Sequence, residues 1–267
     1  MLADRGPIRL TRSMAWQSIP LLVMGILSGF LSVTAGSAVT VVIPVLLWVG
    51  LSADEANATS RLSLAVGGTV AAVVLMLRRK VDWNAIRPLL VATTAGTIGG
   101  AVFGARINSA HMLTIIVVTS TISLALVYLK PDRWLAAVPG EPIIARRYAV
   151  FLFFLLCLYE GVVAVDSALL RLIALVYLLG YPLAAANPIK LITGLVMFGV
   201  SSVVYARAGQ IDWSVAAWLG AGTILGACLA VPAACSYSAQ KPIYRLLQVV
   251  VTLETLWLIW HWIRTAF

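Results

Sequence analysis

Uncharged apolar stretches recur along this chain at a length that suits membrane-crossing helices. Trp16 to Ala35, Leu62 to Leu77, Pro88 to Ala105, Met112 to Leu129 and Leu191 to Ala206 carry no charged residue. Each approaches the roughly 20 residues that cross a hydrocarbon core as helix. The apolar positions are continuous and rich in Gly, Ala and Leu, which argues against the short alternating strands of a transmembrane barrel. The pattern predicts an all-α integral membrane protein, a polytopic bundle of about eight transmembrane helices.

Sliding the chain on itself by 130 positions lays Val81-Asp82-Trp83 on Ile211-Asp212-Trp213, Gly50 on Gly180 and Asn57 on Asn187. After a short slip, Gly96-Thr97-Ile98-Gly99-Gly100-Ala101 falls on Gly222-Thr223-Ile224-Leu225-Gly226-Ala227. A loop tripeptide shared at a constant offset points to two homologous four-helix repeats, 16–129 and 148–263. They lie within one membrane domain, 1–267, and are joined by a cytoplasmic connection, 130–147.

Each repeat opens on a long segment, 16–51 or 148–181, followed by spans 57–78, 86–106 and 111–129, or 187–206, 213–235 and 242–263. A straight helix over 16–51 would be about 54 Å long, against a core of about 30 Å. The first segment must therefore break, and Gly36 and Pro44 are the expected break points.

Composition agrees with these spans: 61% of residues are hydrophobic and 11% charged, which leaves no soluble domain to account for. The net charge of +9 does not signal nucleic acid, because the basic residues gather at span ends. If each half crosses four times, the N-terminus, Arg78-Arg79-Lys80, the 130–147 connection and Arg264 share one side. The positive-inside rule then places both termini in the cytoplasm and makes the repeats parallel. The basic, apolar N-terminus could also be read as a cleaved signal; its mid-chain counterpart favours a first span. Cys157, Cys228 and Cys235 show no metal or disulfide spacing. No cofactor or metal is expected, and a homo-oligomer is compatible with the composition.

The costly residues are ionisable groups in or beside apolar segments: Arg61, Glu160, Asp166, Arg171, Lys190 and Glu254. Arg61 and Lys190 hold nearly equivalent places, just after Asn57 and after Asn187-Pro188, which read as helix starts. A cation in the first turns of a helix works against the macrodipole unless an anion sits there. Asn57, Thr59, Ser60, Arg61, Asn187 and Lys190 are therefore candidate binding residues for a small anion, with snorkelling and capping as the alternative. Glu160 and Asp166 either pair with Arg171 or Lys190, or carry a coupled proton. No phosphate-binding loop and no catalytic constellation is present, so the chain is not expected to be an enzyme.

The chain resembles the TauE/SafE family of sulfite and organosulfonate exporters across roughly residues 16 to 263. The resemblance is carried by Gly25, Gly29, Ala56 to Arg61, Val81-Asp82-Trp83, Tyr159, Gly161, Asn187 to Lys190 and Gly209 to Trp213. It implies a multi-pass permease of the bacterial inner membrane that exports or exchanges small sulfur-containing or carboxylate anions. Its glycine-rich stretch is reduced here to Thr34-Ala35-Gly36-Ser37 and to Glu160 through Ala168. That departure points to an altered substrate or to proton coupling through Asp166. A structural or regulatory membrane subunit and a passive anion channel remain as alternatives.

Overall fold

The computed structural model describes residues 14–34, 39–78, 83–128, 146–165, 167–181, 183–234 and 240–266. Gly36 and Asp166 lie outside them. Among the described residues the fold is all-α. In chain order the helices are α1 (Met14–Thr34), α2 (Val39–Trp48), α3 (Ala53–Arg78), α4 (Trp83–Gly104) and α5 (Ser109–Tyr128). There follow α6 (Arg146–Val162), α7 (Ser167–Ile173), a π-helical turn (Ala174–Leu178), α8 (Leu183–Arg207), α9 (Trp213–Ala234) and α10 (Gln240–Ala266). At least three windows are long and apolar enough to cross a membrane: Ile86–Gly104, Pro188–Arg207 and Trp213–Ala230.

Both long first segments are broken. Pro44 is not a break point: it sits inside α2, as the sixth of its ten residues. The helix starts at Asn57 and Asn187 are also corrected. α3 begins at Ala53 and α8 at Leu183, so each asparagine lies more than a turn inside its helix. The start of α3 is fixed by Ser52-Ala53-Asp54-Glu55, in which the Glu55 carboxylate accepts from the Ser52 N–H at 3.2 Å, one half of a capping box. Gly50 closes α2 with a φ of 102°. The Leu51 N–H reaches back to the Leu46 carbonyl and the Gly50 N–H to Leu47, a left-handed cap that favours glycine.

Two sets of three parallel helices form the centre. In one, α1, α3 and α9 run together: Thr59 Oγ1 accepts from the Asp212 N–H, Ser63 Oγ donates to Ala216 O, and Gly67 faces Thr223. Leu21 of α1 shares a core cluster with Val215 and Leu219, while Ile26 lies against Gly226 further along. In the other set, α4, α6 and α8 run together. Gly96 meets Phe154, Gly100 meets Leu158 and Gly161, and Gly104 meets Val162; Ile86 and Leu89 pack with Ala186 and Ile189. The two sets are antiparallel, because Asn57 near the start of α3 bonds Tyr205 near the end of α8, and Arg61 contacts Met197. Each set thus contains helices from both halves of the chain.

Glycine permits these close approaches. A Cβ on Gly161 would stand 2.8 Å from Gly100 Cα, and one on Gly25 would stand 2.8 Å from Gly222 Cα. Outside the centre, α5 and α10 pair antiparallel through Trp262 Nε1 to Thr114 Oγ1 at 3.1 Å and Tyr128 to Thr252 at 3.0 Å.

The helix directions show how the first segment runs. α1 and α3 are parallel and joined through α2, so the broken first segment folds back on itself; only α3, α4 and α5 run from end to end in the first half. One end of the bundle holds the starts of α3 and α5, linked by Ala53 N–H to Ser109 Oγ, and the end of α10 at Trp262. Arg78, where α3 ends, is at the opposite end. The last described residues and Arg78 therefore do not share a side.

Candidate functional site

The polar centre is built around the C-terminus of α6, which stops inside the bundle. The last carbonyls of a helix have no intrahelical partner, and in an apolar interior each must find a donor. Side chains from α3 and α8 supply them. Arg61 Nη1 donates to Glu160 O at 3.0 Å. Tyr205 Oη lies 3.1 Å from Gly161 O and 3.0 Å from Val162 O. Asn57 Nδ2 donates to Val162 O at 3.0 Å, while its Oδ1 accepts from Arg61 Nη2 at 3.4 Å. The Arg61 guanidinium also lies over the Tyr205 ring, 4.8 Å from its centroid, a cation–π arrangement.

Arg61, Asn57 and Tyr205 are fully buried. A guanidinium at a helix C-terminus meets about half a negative charge from the macrodipole. Among the described residues no carboxylate lies within ion-pair distance of it, and its Nε has no partner.

Glu160 is committed elsewhere. Its Oε2 accepts from Arg171 Nη2 in a buried ion pair that ties the two limbs of the second broken segment together. Arg171 Nη1 also reaches the Lys190 carbonyl of α8 at 3.4 Å. Lys190 itself is buried. No hydrogen bond or ion pair among the described residues joins it to Arg61. The two cations instead sit near the starts of antiparallel helices, at different depths.

The expected residues therefore separate. Asn57, Arg61 and Glu160 come together. Ser60 Oγ donates to the Asn57 carbonyl at 2.9 Å and Thr59 Oγ1 accepts from the Asp212 N–H at 3.1 Å; both are used within the scaffold. Asn187 lies in α8, its side chain outside what the structure describes, and Asp166 lies outside the described residues altogether. The free N–H groups expected at two helix starts are absent, because Asn57 and Asn187 lie inside helices. Tyr205 was not expected; in the sequence it is one tyrosine at the end of an apolar run, and nothing near it marks a cap on a distant helix. Among the described residues no cluster could hold a metal ion.

The geometry is that of a buried cation facing a break in the helical scaffold. Comparison with known proteins agrees with a transport role. The chain is 28% identical over 211 residues to "Probable membrane transporter protein YfcA" of Escherichia coli strain K12, an alignment covering 76% of each protein. The same figures hold for the proteins of that name in the O6:H1 and O157:H7 strains. No solved structure matches. Residues 21–258 match the family "Sulfite exporter TauE/SafE", and the chain is a member of this family of membrane transporters.

Proposed function

We propose that the chain is a secondary transporter, an exporter or exchanger, of small anions such as sulfite, organosulfonates or carboxylates across the bacterial inner membrane. The observation that carries this reading is the fully buried Arg61, which has no carboxylate partner among the described residues. A buried guanidinium is costly unless something negative accompanies it. The helix end offers only part of that charge, and a transient anion completes it with the fork geometry that oxyanions match. Lys190, buried on α8, is the second cation an anion meets on the way through. Glu160 and Asp166 are the proposed groups for proton coupling.

The two halves, 16–129 and 148–263, are proposed to be repeats of inverted rather than parallel topology. Two features support this: each first helix packs on the third long helix of the other half, and α3 runs antiparallel to α8. Each half then contributes one folded-back segment and three crossings. Among the described residues Arg78, Arg87, Arg146, Arg147, Lys241 and Arg245 fall at one end, outnumbering Arg106, Arg207 and Arg264 at the other. The positive-inside rule makes that end cytoplasmic and places both termini outside.

The test is flux in proteoliposomes against a panel of sulfite, methanesulfonate, taurine and acetate, with and without a pH gradient. Saturable flux of one of them that Arg61→Ala abolishes is expected. No flux of any panel anion would instead favour a non-transporting membrane subunit, and non-saturable flux a channel.

A further inference from the structure

We infer that Arg171 is a positioning residue for the anion site: it holds the Glu160 carboxylate away from Arg61, keeping the Arg61 guanidinium available. This rests on the reading of Arg61 as the cation that meets the anion. Glu160 is next to Arg61 through its own backbone, since its carbonyl oxygen takes the Arg61 Nη1 bond at 3.0 Å. A buried carboxylate in this position seeks a buried cation, and two guanidiniums are at hand. Pairing with Arg61 would fill the site with an internal anion. Glu160 is turned instead to Arg171, which enters from the returning limb of the same broken segment.

Arg171 is held for this task by two further features. Its Nη1 donates to the Lys190 carbonyl at 3.4 Å, anchoring the guanidinium on α8. Gly194, one turn further along α8, supplies the clearance. A Cβ there would stand 2.8 Å from Arg171 Nη1, and no other atom of its surroundings would come within 4 Å. The absent side chain at Gly194 thus makes room for one group, the guanidinium that sequesters Glu160.

The test uses the full chain purified in detergent, with sulfite and methanesulfonate as probes, binding by calorimetry and thermal unfolding as the check on folding. Arg171→Gln releases Glu160 to Arg61 and is expected to weaken binding about 100-fold. Adding Glu160→Gln removes the internal competitor and restores affinity to within about threefold of the parent, a recovery that a lost architectural contact does not produce. Gly194→Ala crowds Arg171 and weakens binding in the same direction by a smaller factor. A double variant as weak as Arg171→Gln alone, or normal binding in Arg171→Gln, overturns the proposal. A parent protein that binds neither probe with any dependence on Arg61 defeats the anion reading instead. Unfolding of the Arg61→Gln and Glu160→Gln cycle provides a readout without ligand. Coupling between the two residues should be larger in the Arg171→Gln background than in the parent, and coupling unchanged by that background overturns the inference.

Discussion

Gly29 of α1 lies against the backbone of Thr223 in α9, where a Cβ would stand 2.8 Å from the Thr223 Cα. Gly161 of α6 meets Thr97 of α4 in the same manner, with a Cβ 2.7 Å from its carbonyl oxygen. The first helix of each half is thus seated by a glycine on a threonine of the other half. Two backbones brought this close leave no volume for even one methyl group.

Gly29→Ala and Gly161→Ala should each destabilise the fold by about 1–3 kcal/mol through overpacking, read as a lower unfolding temperature in detergent. Gly199→Ala is the control. Nothing lies within 4 Å of a Cβ there, so alanine should leave stability unchanged or raise it by up to about 1 kcal/mol through helix propensity.

Tyr205→Phe removes the hydroxyl between the Gly161 and Val162 carbonyls but keeps the ring beneath Arg61. The buried carbonyls lose a donor, at a cost of about 1–3 kcal/mol. Asn57 still serves Val162, so the loss falls mainly on Gly161. Thermal unfolding should show this destabilisation with anion affinity largely retained; an affinity loss as large as that of Arg61→Ala would place the hydroxyl on the anion.

Arg61→Lys keeps the charge but gives up the planar fork that serves Glu160 O and Asn57 Oδ1 at once. Anion affinity should fall at least about tenfold. Flux in proteoliposomes should retain the substrate preference of the parent while saturating at higher concentration.

The proposed topology places the termini opposite the connection between α3 and α4. Single cysteines at Lys80 and at Thr265, introduced with Cys157, Cys228 and Cys235 replaced, should differ in whole cells. A membrane-impermeant thiol reagent should label the cysteine at 265 and spare the one at 80. Equal labelling would return the chain to parallel repeats.

Much of the fold was legible because burial in lipid leaves continuous apolar runs. The spans at 86–106, 111–129 and 213–235 lie within about three residues of the helices observed. The folded-back first segments were not legible as such: their length demanded a break, but a break does not say whether the chain continues across or returns. That single ambiguity leaves the last described residues at the opposite end of the bundle from Arg78. The register of 130 relates Gly50 to Gly180, both with positive φ at a helix end. The seating of Gly29 and Gly161 is offset by 132, a small slip that moves Asp166 from Gly36 onto Thr34. For the candidate site, charge within an apolar run marked Arg61 and Glu160, which the structure brings together, and Lys190, which lies apart from Arg61. The capping bonds to α6 were invisible, because they join residues 43 to 105 positions apart through backbone oxygens that carry no sequence signature.

The unwound end of α6 is held by donors from α3 in one helical set and α8 in its own. A tilt of one set against the other therefore strains the bonds of Asn57 and Arg61 to α6 while sparing those of Tyr205. Motion between the sets and the hydrogen bonding of Arg61 therefore share one mechanical joint.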